Sequence, residues 1–276
     1  MSRRTGLLLV ASLAIASVPT AGQWLNHRTA GIPRLPDGKP NLSAPAPRAA
    51  DGKPDLSGVW QVERPSEAEL TRTLGNVRAA TARAVGALGD EPGQFGKYFG
   101  NIFADFRLED VPMRPGIVPK PRTNPCLQGG LPPVSLVAPF KIIQTPGLIA
   151  ILYEAGWRFR QIYTDGRRPP ADAQPLWFGY SVGHWDDNSL TVDITGFNDQ
   201  TPLDAGGHSH SDALHLVERY RRRDLGHLDV EVTVDDPKVY TKPFTIKFTE
   251  LLLPDSDVTE YVCEENEQDL QHLTKQ

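Results

Sequence analysis

Three of the chain's seven histidines lie in one short stretch, GGHSHSDALH, at residues 206–215. In an extended segment His208 and His210 point to the same side, and His215 or His227 could complete a set of metal ligands. A divalent metal held by His208, His210 and His215 is therefore one interpretation. Glycine, serine and aspartate in the same stretch equally suit a polar loop. Our primary prediction is that no metal or other cofactor is bound.

Glu218 follows on the next predicted strand, in register with Leu216 and Tyr220. It should therefore face the apolar side of the sheet, where a carboxylate must be paired or have a raised pKa, as catalytic acids often do. We take Glu218, His208 and His210 as candidate catalytic residues. The alternatives are a salt bridge between Glu218 and an arginine at the barrel rim, or an inverted assignment of the two faces.

Polar and aromatic side chains near these positions are candidates for ligand binding. Gln161 lies between Phe159 and Tyr163, and we expect it to be the polar neighbour of Glu218. The loop over 196–212 is longer than a hairpin needs, and long loops at a barrel mouth often contact ligands. We predict a flexible loop whose histidines face an entrance. The candidate ligand-binding residues are Trp157, Gln161, Tyr163, Asn198, Asp199 and Tyr220.

A series of strands must position these side chains. From residue 136 onward about nine short alternating segments, the last VTEYVC, follow one another with turn signals between them. Helical crossovers, which parallel strands require, are missing. The pattern predicts a mainly β fold, an antiparallel up-and-down barrel resembling lipocalins, with one N-terminal helix and an extended leader. The segments LDVEVTV, SLTVDIT and PFTIKF predict one apolar and one wet face.

The N-terminal quarter divides into segments of different composition. Residues 1–22 combine two arginines, a short apolar run and small residues, as a secretory signal peptide does. Residues 23–57 form a Pro- and Gly-rich leader, a linker or a strap over the domain, that contains DGKPNLS (37–43) and DGKPDLS (51–57). We expect a single barrel domain over 58–265, with a helix near 66–88 that begins at a capping box, and a tail over 266–276.

Export of the chain makes its two cysteines interpretable. We predict a periplasmic or secreted protein in which Cys126 and Cys263 form a disulfide, because paired cysteines are usually oxidised in such compartments. Two unrelated buried thiols are the alternative. The formal net charge of −5 argues against nucleic acid and anionic lipid as partners. We expect no membrane association once the signal peptide is removed, while the sequence leaves the oligomeric state open.

Several segments of the second half carry a family resemblance. They are IYTDGRRPP (162–170), GHWDDNSLTVDITGFND (183–199), the stretch from His208 to Phe244, and YVCEEN (261–266). In these segments the chain resembles a widespread group of secreted bacterial proteins of unknown function. GVW (58–60) before a meander is also similar to the Gly-x-Trp of lipocalins and other calycins. The first resemblance implies export and family membership, and it assigns no catalytic residue.

Three classes of function remain open at this point. A barrel with an apolar interior and no familiar catalytic motif favours an exported protein that binds a small apolar or aromatic molecule. A lyase, isomerase or hydrolase without a cofactor would fit if Glu218 is a buried acid or base, with the histidines at the pocket mouth. A structural or interaction module would fit if the interior is fully packed.

Overall fold

The computed structural model describes residues 27–66, 68, 69, 71, 72, 96–119, 130–156, 158–170 and 172–260. In these ranges nine strands close into a barrel, each strand pairing with the next and β9 pairing with β1. The strands are β1 Gly58–Val62, β2 Phe140–Thr145, β3 Leu148–Tyr153, β4 Arg158–Tyr163, β5 Tyr180–Asp186, β6 Ser189–Thr195, β7 His215–Arg222, β8 His227–Asp235 and β9 Phe244–Leu252.

The predicted alternation of the strands is confirmed. On β8, Leu228, Val230, Val232 and Val234 are buried in the barrel interior, and the residues between them are only half-buried. The same period of two holds on β6 and on most of β9. Apolar burial on this scale is the main force that holds the barrel together, at about 25 cal/mol for each Å² removed from water.

The barrel is mixed, so the prediction of a wholly antiparallel meander is wrong at one pair. β4 and β5 run parallel, with Ile162 opposite Ser181 and Tyr163 opposite Val182. The reason is the connection 164–179, which carries the chain back to the end of the barrel where β4 began. Two parallel strands need such a return, and here an extended segment without a described helix makes it.

The ninth strand is also not the one expected. Residues 258–260 of VTEYVC are not in a strand, and the rest of that segment lies outside the described residues. The barrel is closed instead by β1, which pairs with β2 on one side and β9 on the other. Trp60, at the centre of β1, is completely buried and donates its indole N–H to the carbonyl of Leu56 at 2.9 Å.

Only the beginning of the predicted helix is among the described residues. Ser66 and Glu69 make the reciprocal hydrogen bonds of a capping box: Ser66 N–H donates to Glu69 Oε2 at 3.1 Å, and Glu69 N–H donates to Ser66 Oγ at 3.3 Å. Helical residues follow at 68, 69, 71 and 72. The remainder of the prediction falls outside the described ranges, and no described helix is long and apolar enough to cross a membrane.

The described part of the leader, residues 27–57, is a strap over one end of the barrel, which we call the strap end. Each repeat folds into the same small hairpin, with Asn41 N–H bonded to the carbonyl of Pro33 and Asp55 N–H bonded to that of Pro47. Between the hairpins the chain accepts hydrogen bonds from the β7–β8 turn, from Leu225 N–H to Ala44 and from Gly226 N–H to Leu42, both at 2.8 Å. The sequence repeat is therefore a structural repeat.

Two other segments cover the opposite end, which we call the loop end. They are residues 96–113 and the long loop between β6 and β7, and they are joined by a hydrogen bond of 2.7 Å from Ala205 N–H to the carbonyl of Phe99. Phe103 packs edge-on against Tyr240 and in a tilted arrangement against Phe244 at the start of β9. Both ends of the barrel are thus closed by chain that is not part of the sheet.

Candidate functional site

A charged pair lies inside the barrel. Glu218 on β7 and Arg160 on β4 are both buried, and Arg160 Nη1 lies 2.8 Å from Glu218 Oε2. Tyr220 donates its hydroxyl to the same carboxylate oxygen at 2.8 Å, and Arg160 Nε donates to Ser181 Oγ at 3.0 Å. The inward orientation predicted for Glu218 is therefore confirmed, and its cation comes from within the barrel wall, not from the rim.

Burial and these contacts shift the pKa values of Arg160 and Tyr220, the two neighbours of Glu218. Burial alone would lower the pKa of Arg160, but the Glu218 carboxylate raises it above its usual value. Burial raises the pKa of Tyr220 well above its usual value, and the Glu218 charge adds to that shift. Arg160 is therefore a permanent cation and Tyr220 a permanent hydrogen-bond donor. The cluster neutralises Glu218 with one full charge and one neutral donor.

Glu250 on β9 is a second carboxyl group in the interior. It is fully buried, and neither carboxyl oxygen has a hydrogen-bond partner among the described residues. Burial raises the pKa of Glu250 well above its usual value. Next to it is a cavity of about 10 Å³. Its polar lining consists of Ser135, Glu218, Tyr220 and Glu250.

The sequence contained a signal for the inward orientation of Arg160 and Glu250, although neither residue was among the predicted site residues. Glu250 continues the inward series Phe244, Ile246, Phe248 on β9, and Arg160 is two positions from the buried Ile162 on β4. We instead expected Gln161 to face inward because its neighbours Phe159 and Tyr163 are aromatic. That assignment is wrong: Gln161 is exposed and Phe159 is 66% exposed. On this strand the large apolar residue faces solvent and the arginine faces inward.

The long loop between β6 and β7 contains an aspartate–histidine pair, Asp204 and His208. Asp204 is buried, and its carboxylate accepts hydrogen bonds from Ile102 N–H at 2.6 Å and His208 N–H at 3.1 Å. His208 Nδ1 lies 2.5 Å from Asp204 Oδ2, and the ring packs edge-on against Phe103 at 4.9 Å. A buried carboxylate on Nδ1 fixes the ring and its tautomer, as it does for catalytic bases. No sequence pattern pointed to Asp204.

His210 has a different environment from the one predicted. It is 5% exposed, with its Nε2 3.0 Å from Thr201 Oγ1 and its Nδ1 2.9 Å from the carbonyl of Ser211. The carbonyl requires a proton on Nδ1, so Nε2 accepts the threonine hydroxyl. Burial lowers the pKa of His210. The histidine is therefore a neutral packing residue, and the prediction that it faces an entrance is wrong.

The histidines considered as metal ligands, His208, His210 and His215 with His227 as an alternative, are held by different partners. His215 lies on the outer face of the barrel, where its Nε2 is 3.2 Å from Asp193 Oδ1. His227 is paired with Asp224 in the β7–β8 turn at 2.7 Å. Across the described ranges, no group of three or more His, Cys, Asp or Glu side chains has a geometry that could hold a metal ion. The structure thus does not assemble the predicted set.

The predicted ligand-binding residues do not share one pocket. Tyr220 lies in the interior cluster, whereas Tyr163 lies on the outer side under the guanidinium of Arg167, 3.9 Å from the ring centre. Asn198 is half-buried, with its Oδ1 accepting Gln200 N–H at 3.1 Å, and Asp199 is exposed. Trp157, Cys126 and Cys263 lie outside the described residues, and so does the predicted disulfide.

A larger space lies at the strap end. It is a cleft of about 660 Å³ between residues 27–32, the start of β1 and the chain that leaves β9. This strap-end cleft has an apolar wall and a charged rim. The wall is formed by Ile32, Pro47, Val59, Leu225, Leu252, Leu253 and Pro254. The rim includes Lys141 and Asp257, whose charged groups are 2.8 Å apart.

Arg222 lies at the base of the cleft. Its guanidinium donates to the carbonyls of Asp55 at 2.5 Å and Leu225 at 2.7 Å, and it stacks over Trp60 at 4.8 Å. Burial lowers the pKa of Arg222 to about 10, so the side chain stays charged at neutral pH. Its hydrogen-bond acceptors are backbone carbonyls, and the nearby carboxylates of Asp55 and Asp224 partly oppose the effect of burial on its pKa.

Comparison with models of protein families, with curated proteins and with solved structures finds no match to this chain.

Proposed function

We propose that the protein binds a small, mainly apolar molecule in the strap-end cleft. The cleft volume carries this proposal, because about 660 Å³ lies within the range of roughly 300–1,000 Å³ found for small-molecule sites. An apolar wall with a few polar groups at its rim is the usual composition of such sites. The interior supports binding less well, since its cavity beside Glu218 has room for one water molecule.

The first repeat holds the strap side of the cleft in place. Arg34 Nη2 donates to both carboxylate oxygens of Asp255, at 2.6 and 2.8 Å. Thr29 N–H donates to the same carboxylate at 2.8 Å, and Asp255 N–H donates to Thr29 Oγ1 at 2.9 Å. These four contacts fix residues 27–34 against the end of β9, which pre-organises one wall for a ligand.

Export belongs to the same proposal. The apolar run near the N-terminus, which lies outside the described residues, has the composition of a signal peptide, and the resemblance is to secreted bacterial proteins. We therefore propose a periplasmic or secreted binding protein that acts without nucleic acid or membrane partners and without a bound metal.

The test is to fill the cleft. Ser256 is half-buried in the cleft wall, and Ser256→Trp should occupy the space, whereas Thr195→Trp adds the same ring to the exposed outer face of β6. Native mass spectrometry of protein purified from its source should find a retained molecule in the wild type and in the Thr195 variant, but not in the Ser256 variant. Retention by all three proteins, or by none, would contradict the proposal.

A catalyst without a cofactor is the second candidate, favoured by the Asp204–His208 pair. A histidine oriented through Nδ1 by a buried carboxylate is the arrangement of a general base. Glu218 supports this role less well, because it is neutralised by Arg160 inside the barrel. Hydrolysis of chromogenic esters should fall at least tenfold in both Asp204→Asn and His208→Gln if the pair is catalytic. Absence of activity in the wild type would remove this candidate.

A further inference from the structure

Glu250 is a buried acid without a partner. Its exposure is 0%, its two carboxyl oxygens accept no hydrogen bond from the described residues, and its neighbours across the sheet are Val62 on β1 and Leu228 on β8. An ionised carboxylate in such a place would lose its hydration without any compensation, which costs several kcal/mol even after the protein relaxes. The side chain must therefore exist in a form that avoids this cost.

The charges around Glu250 leave no cation for it. Arg160 from β4 is already in contact with the Glu218 carboxylate from β7. Tyr220 from β7 and Tyr153 from β3 are neutral, since burial raises the pKa of both. Burial is the cause of the raised pKa of Glu250 itself, and the other carboxyl group that lines its cavity, Glu218, is an anion and cannot compensate a charge on Glu250. A neutral cluster requires a proton on this side chain.

The cavity beside Glu250 is the second observation. Its volume of about 10 Å³ is close to the minimum that holds one water molecule. Ser135, Glu218, Tyr220 and Glu250 provide hydroxyl and carboxyl groups around it. A buried water typically makes two to four hydrogen bonds and occupies polar cavities, whereas empty cavities are apolar. The lining is therefore suited to a water molecule.

We propose that the barrel interior is a binding site for one proton and one water molecule, with Glu250 held as a neutral carboxylic acid that hydrogen-bonds to the water. The proton makes Glu250 neutral, so the interior has no uncompensated charge, and the water provides hydrogen bonds to the carboxyl oxygens of Glu250. This site is separate from the strap-end cleft, so it does not depend on the proposed function.

Occupation by a proton links folding to pH. Between the pKa of an unfolded glutamic acid, about 4.3, and the higher pKa in the folded state, the native protein binds one proton more than the unfolded chain. The stability from this proton is fully present below about pH 4.3. It is lost as the pH rises towards the folded-state pKa, by about a tenfold decrease in the folding equilibrium constant for each pH unit.

Infrared spectroscopy tests the proton. At pH 7 the wild type should show the carbonyl stretching band of a buried protonated carboxylic acid, and Glu250→Gln should lack it. Glu231→Gln is the matched control, because Glu231 is on the exposed face of β8 and is paired with Lys247 at 2.7 Å. If the wild type shows no such band, or if the band persists in Glu250→Gln, the proposal is wrong.

Stability against pH provides an independent readout. The folding equilibrium constant of Glu250→Gln relative to wild type should rise about tenfold for each pH unit between about 4.3 and the folded-state pKa of Glu250, since glutamine does not titrate. Parallel pH profiles for the two proteins would overturn the inference even if both fold. The water is tested in the wild type by magnetisation transfer from water to the protons around the cavity, and a dry cavity would contradict that half of the proposal.

Discussion

The role of Glu218 depends on its partner, Arg160. A lone inward glutamate on an apolar strand suggests a perturbed acid, which is why Glu218 was a candidate catalytic residue. With Arg160 Nη1 at 2.8 Å and the Tyr220 hydroxyl at 2.8 Å, it becomes the anionic half of a structural pair. Such a pair costs desolvation on both sides, so its removal as a unit differs from the loss of one member.

The Arg160–Glu218 pair gives the first prediction at this scale. Arg160→Met should destabilise the protein by about 3–5 kcal/mol, because it leaves the Glu218 carboxylate buried without its cation. The double variant Arg160→Met, Glu218→Met should recover most of this loss, since no buried charge remains. Urea unfolding of the single and double variants measures the effect. Equal stability of the two variants would show that the ion pair does not account for the loss.

His210 gives a prediction about acid stability. Burial lowers the pKa of His210, so in the folded state it stays neutral below the pH at which an unfolded histidine takes up a proton, about 6.5. The unfolded chain then binds more protons than the folded protein, so the free energy of unfolding decreases as the pH falls below about 6.5. Wild-type protein should lose stability in that window, whereas His210→Gln should lose less. Thermal unfolding from pH 7 to 5 measures this, with His215→Gln on the outer face as the control.

At the scale of elements, the leader has the most specific role. Two hairpins of similar sequence are joined to different parts of the barrel: Arg34 contacts Asp255 beyond β9, and Arg48 Nη2 donates to Asn188 in the β5–β6 turn at 2.9 Å. In each hairpin the arginine also donates to a glycine carbonyl of its own turn, at Gly38 or Gly52. One arginine thus closes each repeat and attaches it to the sheet.

The strap can be displaced by one methyl group. A Cβ added at Gly226 would lie 2.6 Å from the Cβ of Leu42 and 3.0 Å from its carbonyl oxygen, so Gly226→Ala should push the strap off the β7–β8 turn. We expect a loss of about 1–3 kcal/mol, as for other overpacked sites, and faster cleavage of residues 33–55 by proteases. Gly100→Ala, where no atom lies within 4 Å of the added Cβ, should change neither. Unchanged cleavage in Gly226→Ala would show that the strap is not held there.

At the scale of the whole molecule, closure makes the barrel one unit. β1 and β9 are far apart in sequence, yet they pair through Trp60 opposite Leu252 and Val62 opposite Glu250. Opening this seam would expose Trp60 and Glu250 together and would detach the strap, which ends just before β1. The interior cluster, the seam and the strap end are therefore coupled.

This coupling predicts one cooperative transition. Tryptophan fluorescence, far-ultraviolet circular dichroism and protease resistance of the strap should all change at the same urea concentration, as in two-state unfolding. Folding should be slow for the chain length, because the seam requires contacts of high sequence separation. Separate transitions for fluorescence and circular dichroism would contradict a single unit.

The sequence by itself determined the local features of this protein. Alternation with a period of two identified strands β2 to β9 and the inward faces of β6, β7 and β8, because successive side chains in a strand point to opposite faces. The same rule, extended to Glu250 and to Arg160, would have found the interior cluster. The capping box at Ser66 was equally readable, since its hydrogen bonds connect residues three positions apart. The repeat in the leader was also recognised, but not the hairpins that it forms.

Only the tertiary structure decided which segments meet. The parallel pairing of β4 with β5, the closure by β1 and the contact of Arg160 with Glu218 join residues that are far apart in sequence. The cleft at the strap end is the space left where the leader crosses the barrel, so no single segment encodes it. Long-range pairing is selected by the packing of all strands at once, and a local pattern cannot contain that information.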